Sequence, residues 1–260
     1  MHKERLVLET RRSLIIIDDR SRWCRYAETI LTDGIKEAGC GKTLRVKTQI
    51  GLERSMFAML REQFPTFDSR TGGLCVFPGR SAAKIRENAE WSDCYESSVF
   101  DCESFLSLHV ERWFLVCDKV VVTAGELFPE RPVCLNIRNI IVIDDVISTG
   151  ATIREVCNRN RYKFPRAEWY AAACVSRVEK IAGYKEVFTP LLVPVDKYGL
   201  KVPINSLSTL LEDEPIARHY GEKHCAKPEI FLRVLEEIKS QYGGIEPEMA
   251  DRHLVPWRDC

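Results

Sequence analysis

One stretch constrains this chain more than any other: Asn139 to Asn160, N-I-I-V-I-D-D-V-I-S-T-G-A-T-I-R-E-V-C-N-R-N. Ile140, Ile141, Val142 and Ile143 form an unbroken β-branched run, the pattern of a strand covered on both faces inside a parallel sheet. Asp144 and Asp145 follow. Then come Ser148-Thr149-Gly150-Ala151-Thr152, small residues that let backbone N–H groups approach a ligand. Ile153 and Val156, with Arg154, Arg159 and Arg161 around them, have the spacing of an amphipathic helix. Strand, acidic pair, small-residue loop and helix N-terminus together predict a phosphate cradle, because unpaired N–H groups and the helix dipole both favour an anion there. The competing reading is an ordinary strand–loop–helix connection in which the Asp and Ser/Thr side chains cap the helix.

From Ile140 to Thr152 the chain resembles the type I phosphoribosyltransferases, whose signature is four apolar residues, two acids, two apolar residues and Thr/Ser-Thr-Gly-x-Thr. The resemblance implies that Ser148, Thr149, Gly150, Ala151 and Thr152 hold the 5′-phosphate of 5-phosphoribosyl 1-pyrophosphate (PRPP). It implies that Asp144 and Asp145 act as the catalytic acidic pair and take the ribose 2′- and 3′-hydroxyls. The residue types suit those roles, since carboxylates accept from sugar hydroxyls and small residues let amides surround a phosphate.

Upstream, Gly72 to Phe77 reads as a strand and Pro78 to Ala83 as a turn into a helix. The resemblance implies a pyrophosphate-binding loop here, on Gly79, Arg80 and Ser81, with the Arg80 guanidinium forking onto phosphate oxygens. This loop departs from the Arg-Gly-Gly-like pattern of many members. Trp169 to Val175 predicts another buried strand, with Arg177 at its carboxyl end, where ligands of doubly wound sheets bind. In several family members a basic residue at this strand end faces the base or the pyrophosphate, which makes Arg177 the candidate acceptor-binding residue; the competing reading is a surface Arg with no partner.

The remaining elements are read from periodicity. Leu14-Ile15-Ile16-Ile17 with Asp18-Asp19 repeats the strand-then-acids pattern without a Thr-Gly loop, so its acids are expected to cap the next helix, the alternative being a diverged half-site. That helix carries Trp23, Ala27, Ile30, Leu31 and Ile35 on one face and stops near Gly39-Cys40-Gly41. A helix is expected over residues 51–64, another over 106–116, and a strand at Val120 to Val122. Residues 187–195, broken by Pro190 and Pro194, suggest a strand at a sheet edge. Residues 203–208 read as loop, and Pro228 to Tyr242 as an amphipathic helix ending at Gly243-Gly244.

Composition narrows the function. Lys plus Arg equals Asp plus Glu at 38 each, which gives no electrostatic pull towards nucleic acid. No run approaches the roughly 18 apolar residues of a membrane span, and Met1 to Arg12 lacks the apolar core of a signal peptide. A cytoplasmic protein is expected. Its eleven cysteines contain no C-x-x-C pair and read as small hydrophobes, and His219, His224 and Cys225 as part of a solvated turn.

The fold expected is α/β, a mainly parallel sheet flanked by helices, phosphoribosyltransferase-like, with an additional hood or extension. The domain reading is a phosphoribosyltransferase-like domain over residues 1–210, with a core from about 70 to 195, and a helical extension over 211–260 packed on it. The resemblance implies transfer of a 5-phosphoribosyl group from PRPP to a nitrogenous base or related acceptor, with release of pyrophosphate. It also implies Mg²⁺ bound with PRPP and pyrophosphate, no ligand being directly assigned, and a mobile flap between the two phosphate loops. Three further readings stay open: a homodimer, a non-catalytic PRPP-binding regulator, and an effector acting on an unusual nucleotide or RNA acceptor.

Overall fold

The computed structural model describes residues 6–7, 13–18, 24–67, 72–79, 82–83, 85–86, 105–114, 120–127, 137–195 and 202–242. In chain order the elements begin with β1 Leu6–Val7, β2 Ser13–Asp18, α1 Cys24–Glu37, β3 Thr43–Thr48, α2 Gln49–Gln63 and β4 Gly73–Pro78. There follow β5 Phe105–Leu108, β6 Val110–Phe114, β7 Val120–Ala124, β8 Asn139–Ile147, α3 Ala151–Asn160 and β9 Glu168–Ser176. The rest are β10 Val187–Phe188, β11 Leu191–Leu192, β12 Ile204–Ser206, α4 Leu207–Glu212, α5 Glu214–His224 and α6 Pro228–Tyr242. The chain divides into two compact units: Met1–Val7 with Leu52–Pro194, and Leu8–Gly51 with Val195–Cys260.

The first unit is built on a seven-stranded sheet ordered β1-β11-β9-β8-β4-β5, with β10 also on β9. Every pairing in it is parallel, so this is the α/β architecture expected from the sequence. Ile140, Ile141, Val142 and Ile143 of β8 are each 0% exposed, as a central strand covered on both faces requires. Burying such side chains contributes about 1.5–3 kcal/mol apiece. On one face, Ile140 and Val142 pack with Leu74, Val76, Trp169 and Ala171 against Ile153, Val156 and Cys157 of α3. On the opposite face, the Phe64 ring just beyond α2 meets Tyr170 at 4.9 Å and Phe188 at 6.0 Å, both edge-on.

Two expectations for this unit are corrected, the second in part. Residues 105–114 are two strands and not a helix: β5 lies beside β4 at the end of the parallel sheet, and β6 pairs antiparallel with β7. Short apolar runs such as Phe105-Leu106-Ser107-Leu108 satisfy either period, and only the neighbouring β4 decides between them. Of residues 187–195, β10 pairs among the described residues with β9 alone and so lies at an edge as expected, whereas β11 is flanked by both β9 and β1. The prolines are accommodated by dividing the segment into two-residue strands, with Pro190 between them.

The second unit carries a three-stranded parallel sheet, β12-β2-β3. Leu14 and Ile16 share a core with Leu31, Ile35, Leu207, Leu210, Phe231, Leu235 and Ile238. Helix α6 has the predicted bounds. It approaches α1 closely because position 34 is glycine: a Cβ there would stand 2.3 Å from Val234 Cγ2. Residues 203–208 are not loop. They form β12 and the start of α4, where Ser206 Oγ caps the helix by accepting from the Thr209 N–H at 3.2 Å. Asp213 caps α5 in the same way through Ile216 N–H at 3.0 Å, with Pro215 in its first turn. Residue 210, the expected domain boundary, therefore falls inside α4, and the described residues 211–242 group with those between 13 and 51. Asp19 and residues 20–23 lie outside the described residues.

Candidate functional site

The carboxyl ends of β4, β8 and β9 lie side by side at one edge of the parallel sheet. Register pairs Val76 with Val142 and Ile147 with Ser176, and continuing the first pairing brings Pro78 level with Asp144. In a parallel sheet this edge gathers the helix N-termini, and here it also gathers the residues singled out above.

Strand β8 continues through both acids to Ile147. Asp144 and Asp145 are thus consecutive strand positions and project to opposite faces of the sheet. Asp144 is 2% exposed and Asp145 half-buried. Each carboxylate braces the backbone beside it: Asp144 Oδ1 accepts from the Asp145 N–H at 3.0 Å, and Asp145 Oδ1 from the Val146 N–H at 2.8 Å. Neither of these bonds caps α3.

The loop after β8 turns at Gly150, which has φ +73° and is the N-cap of α3 without a side-chain capping bond. This left-handed conformation is open to glycine at little cost and strains a residue bearing a Cβ. Thr149 Oγ1 accepts from the Ala151 N–H at 3.3 Å. Among the described residues no hydrogen bond occupies the N–H groups of Ser148, Thr149, Gly150 or Thr152. Ser148 and Thr149 are exposed. The loop therefore presents donors to solvent at the positive end of a helix, an arrangement that can receive a small anion.

Arg154 adds to this and was not singled out as a site residue in the sequence. Its guanidinium turns back along the helix, and Nη1 donates to Thr149 O at 3.0 Å, fixing a positive charge beside the loop. A cleft of about 190 Å³ next to Ala151 is lined by Val122, Arg154, Glu155 and Asn158. With one cation and one carboxylate in its wall, that cleft does not itself select an anion.

Arg177 follows β9 directly. Its N–H donates to Ile147 O at 2.8 Å, so it adjoins the loop, half-buried. On β4's side, Gly79 has φ +80°, with nothing nearer to a would-be Cβ than Val110 Cβ at 4.0 Å. Arg80 and Ser81 lie outside the described residues, as does most of the span expected to hold a flap.

Glu53 is a further residue that periodicity passed over. It sits on α2 beside Leu52 and Met56 and is 5% exposed. Burial, and then the negative charge of Glu53, Asp145 and Asp144, pushes the Cys174 thiol well above its ordinary range. Cys174 is thus an inert core thiol. The available signal was a carboxylate inside an apolar helical stripe. Among the described residues no group of three or more His, Cys, Asp or Glu side chains forms a metal cage, and no helix is long and apolar enough to cross a membrane.

No family model and no curated protein matches the chain. Similar solved structures include a Helicobacter pylori xanthine-guanine-hypoxanthine phosphoribosyltransferase, at 10% identity and TM-score 0.39, covering 61% of this chain and 87% of that one. A purine phosphoribosyltransferase from Pyrococcus horikoshii matches at 15% identity and TM-score 0.33, over 55% of this chain and 88% of its own. A hypoxanthine phosphoribosyltransferase from Staphylococcus aureus matches at 13% identity and TM-score 0.33, over 67% and 80% respectively.

Proposed function

We propose that the chain binds PRPP at the carboxyl edge of the seven-stranded sheet and transfers its 5-phosphoribosyl group to a nitrogenous acceptor. The observation that carries this reading is that, among the described residues, no hydrogen bond occupies the N–H groups of Ser148, Thr149, Gly150 and Thr152, just after an acidic pair. In this assignment the loop holds the 5′-phosphate, with Arg154 adding charge, while Asp144 and Asp145 grip the ribose hydroxyls. Gly79, Arg80 and Ser81 hold the pyrophosphate, and Arg177 faces the acceptor.

In the transfer, the bond from C1′ to the pyrophosphate oxygen breaks and a bond from C1′ to the acceptor nitrogen forms. Positive charge develops on the sugar ring, so two carboxylates held by their own backbone stabilise it with little reorganisation. The donor set suits Mg²⁺, which takes oxygen ligands from one or two carboxylates together with substrate phosphates. Asp145 fits best: one of its carboxylate oxygens has no partner among the described residues. When bound, the ion neutralises charge on the leaving pyrophosphate.

A second reading is a regulator that binds PRPP and performs no transfer. The departure of the Gly79-Arg80-Ser81 loop from the Arg-Gly-Gly-like pattern favours it. Calorimetric titration with PRPP and Mg²⁺, followed by pyrophosphate release with purine, pyrimidine and nicotinate-like acceptors, separates the two. Binding with release supports the enzyme, binding without release the regulator. Absence of PRPP binding removes both.

A further inference from the structure

We propose that Cys40 and Cys225 form a peroxide-oxidisable thiol pair that closes into a reversible disulfide, a modification site in the second unit that the phosphoribosyl chemistry does not use. Cys40 follows α1, and Cys225 is the C-cap of α5, its N–H donating to Gly221 O at 2.8 Å. The two loops are locked together without the sulfurs. The Lys227 N–H donates to Ala38 O at 2.9 Å, and a Cβ on Gly39 would lie 3.1 Å from the Ala226 Cβ. Both thiols are free, and Cys40 packs against the core cluster of the second unit that contains Cys225.

Their surroundings differ, which divides the roles. Cys225 is 9% exposed, whereas Cys40 is only half-buried. Burial first, and then the charge and hydrogen bond of Cys40, push the Cys225 thiol up to about 11. Cys225 therefore keeps its proton, and Cys40 meets the oxidant.

A hydroperoxide supplies the oxidising equivalents. The Cys40 sulfur attacks the terminal peroxide oxygen, the O–O bond breaks, and the thiol proton passes to the departing alkoxide so that the alcohol (or water) leaves, giving a sulfenic acid. The Cys225 sulfur then displaces that hydroxyl, which departs with the thiol proton as water, and the S–S bond forms. Two thiols and one hydroperoxide give one disulfide, one alcohol and one water. The bridge would join segments far apart in sequence, where cross-linking constrains the unfolded chain most.

The test treats the full native chain with hydrogen peroxide, alkylates the remaining thiols and maps the peptides by mass. A Cys40–Cys225 linked peptide, lighter by about 2 Da than the two thiol peptides and lost on dithiothreitol treatment, is expected. The oxidised chain should unfold at a midpoint raised by about 5 °C or more, reversibly. In Cys225→Ser the Cys40 sulfenic acid should persist and take up dimedone. The proposal is overturned if both residues stay alkylatable in peroxide while other thiols oxidise, or if the link forms only after unfolding in urea.

Discussion

The side-chain oxygen of Asn160 accepts the Leu127 N–H at 2.6 Å, while its amide nitrogen donates to Val156 O at 2.8 Å and Gly125 O at 3.3 Å. Asn160 is 0% exposed, so the last residue of α3 ties the segment after β7 to the helix that carries the phosphate loop. Asn160→Leu leaves the buried Leu127 N–H and the half-buried Gly125 carbonyl without this partner and should cost about 2–3 kcal/mol. Urea unfolding of the variant reads this as a lower midpoint at unchanged slope. A midpoint equal to the parent's would show that the bonds contribute nothing net.

Asp144→Asn/Asp145→Asn keeps the oxygens that accept from the Asp145 and Val146 N–H groups, so the β8 backbone stays braced. It removes two charged acceptors for sugar hydroxyls, and PRPP affinity should fall about 100-fold or more. Calorimetry checks the affinity and circular dichroism the fold. Parent-like PRPP binding would remove both acids from the site.

Gly150→Ala forces a side chain into φ +73° with its Cβ 3.3 Å from Ile181, whereas the Cβ of Gly79→Ala at φ +80° meets only Val110 Cβ, at 4.0 Å. Each should lose about 1–2 kcal/mol for the left-handed backbone. Gly150→Ala should also distort the N–H cradle and weaken binding of ribose 5-phosphate as well as PRPP, whereas Gly79→Ala, in the pyrophosphate loop, should weaken PRPP binding and leave ribose 5-phosphate binding intact. Parent-like ribose 5-phosphate affinity in Gly150→Ala would contradict the assignment.

Arg177→Gln should leave PRPP affinity intact and raise the KM for the acceptor about tenfold, the loss of one charge-assisted hydrogen bond. Initial rates at saturating PRPP measure it, and a change confined to PRPP affinity would move Arg177 to the phosphate side.

Tyr170 donates to Glu168 Oε2 at 2.8 Å, and the Lys185 ammonium holds the Glu168 carboxyl below its usual range. Burial, and then Glu168, push the Tyr170 phenol up to about 12. The folded state thus keeps a proton that the unfolded chain gives up near 10. This contribution is complete below pH 10 and disappears as pH rises through 12. Stability measured from pH 9 to 12 should fall less steeply in Tyr170→Phe, and parallel curves would remove the effect.

The sequence by itself determined the centre of the first unit. Four β-branched residues, two acids and a Ser-Thr-Gly-Ala-Thr run admit one local solution, because burial demands a central strand and small residues alone turn tightly into α3. The stripe of Pro228 to Tyr242 likewise specified α6. What the tertiary structure decided depends on neighbours distant along the chain. Residues 105–114 became strands because β4 and β7 offered open edges, and residues 204–206 because β2 did. Arg154 reaches the loop through a bond to Thr149, Glu53 is buried with one face of α2, and the segments carrying Cys40 and Cys225 are joined by the bond from the Lys227 N–H to Ala38 O. Hydrophobic period and turn chemistry are local and so can be read from the residues in order. Pairing partners, side-chain reach and thiol contact are set by which surfaces the closed core brings together.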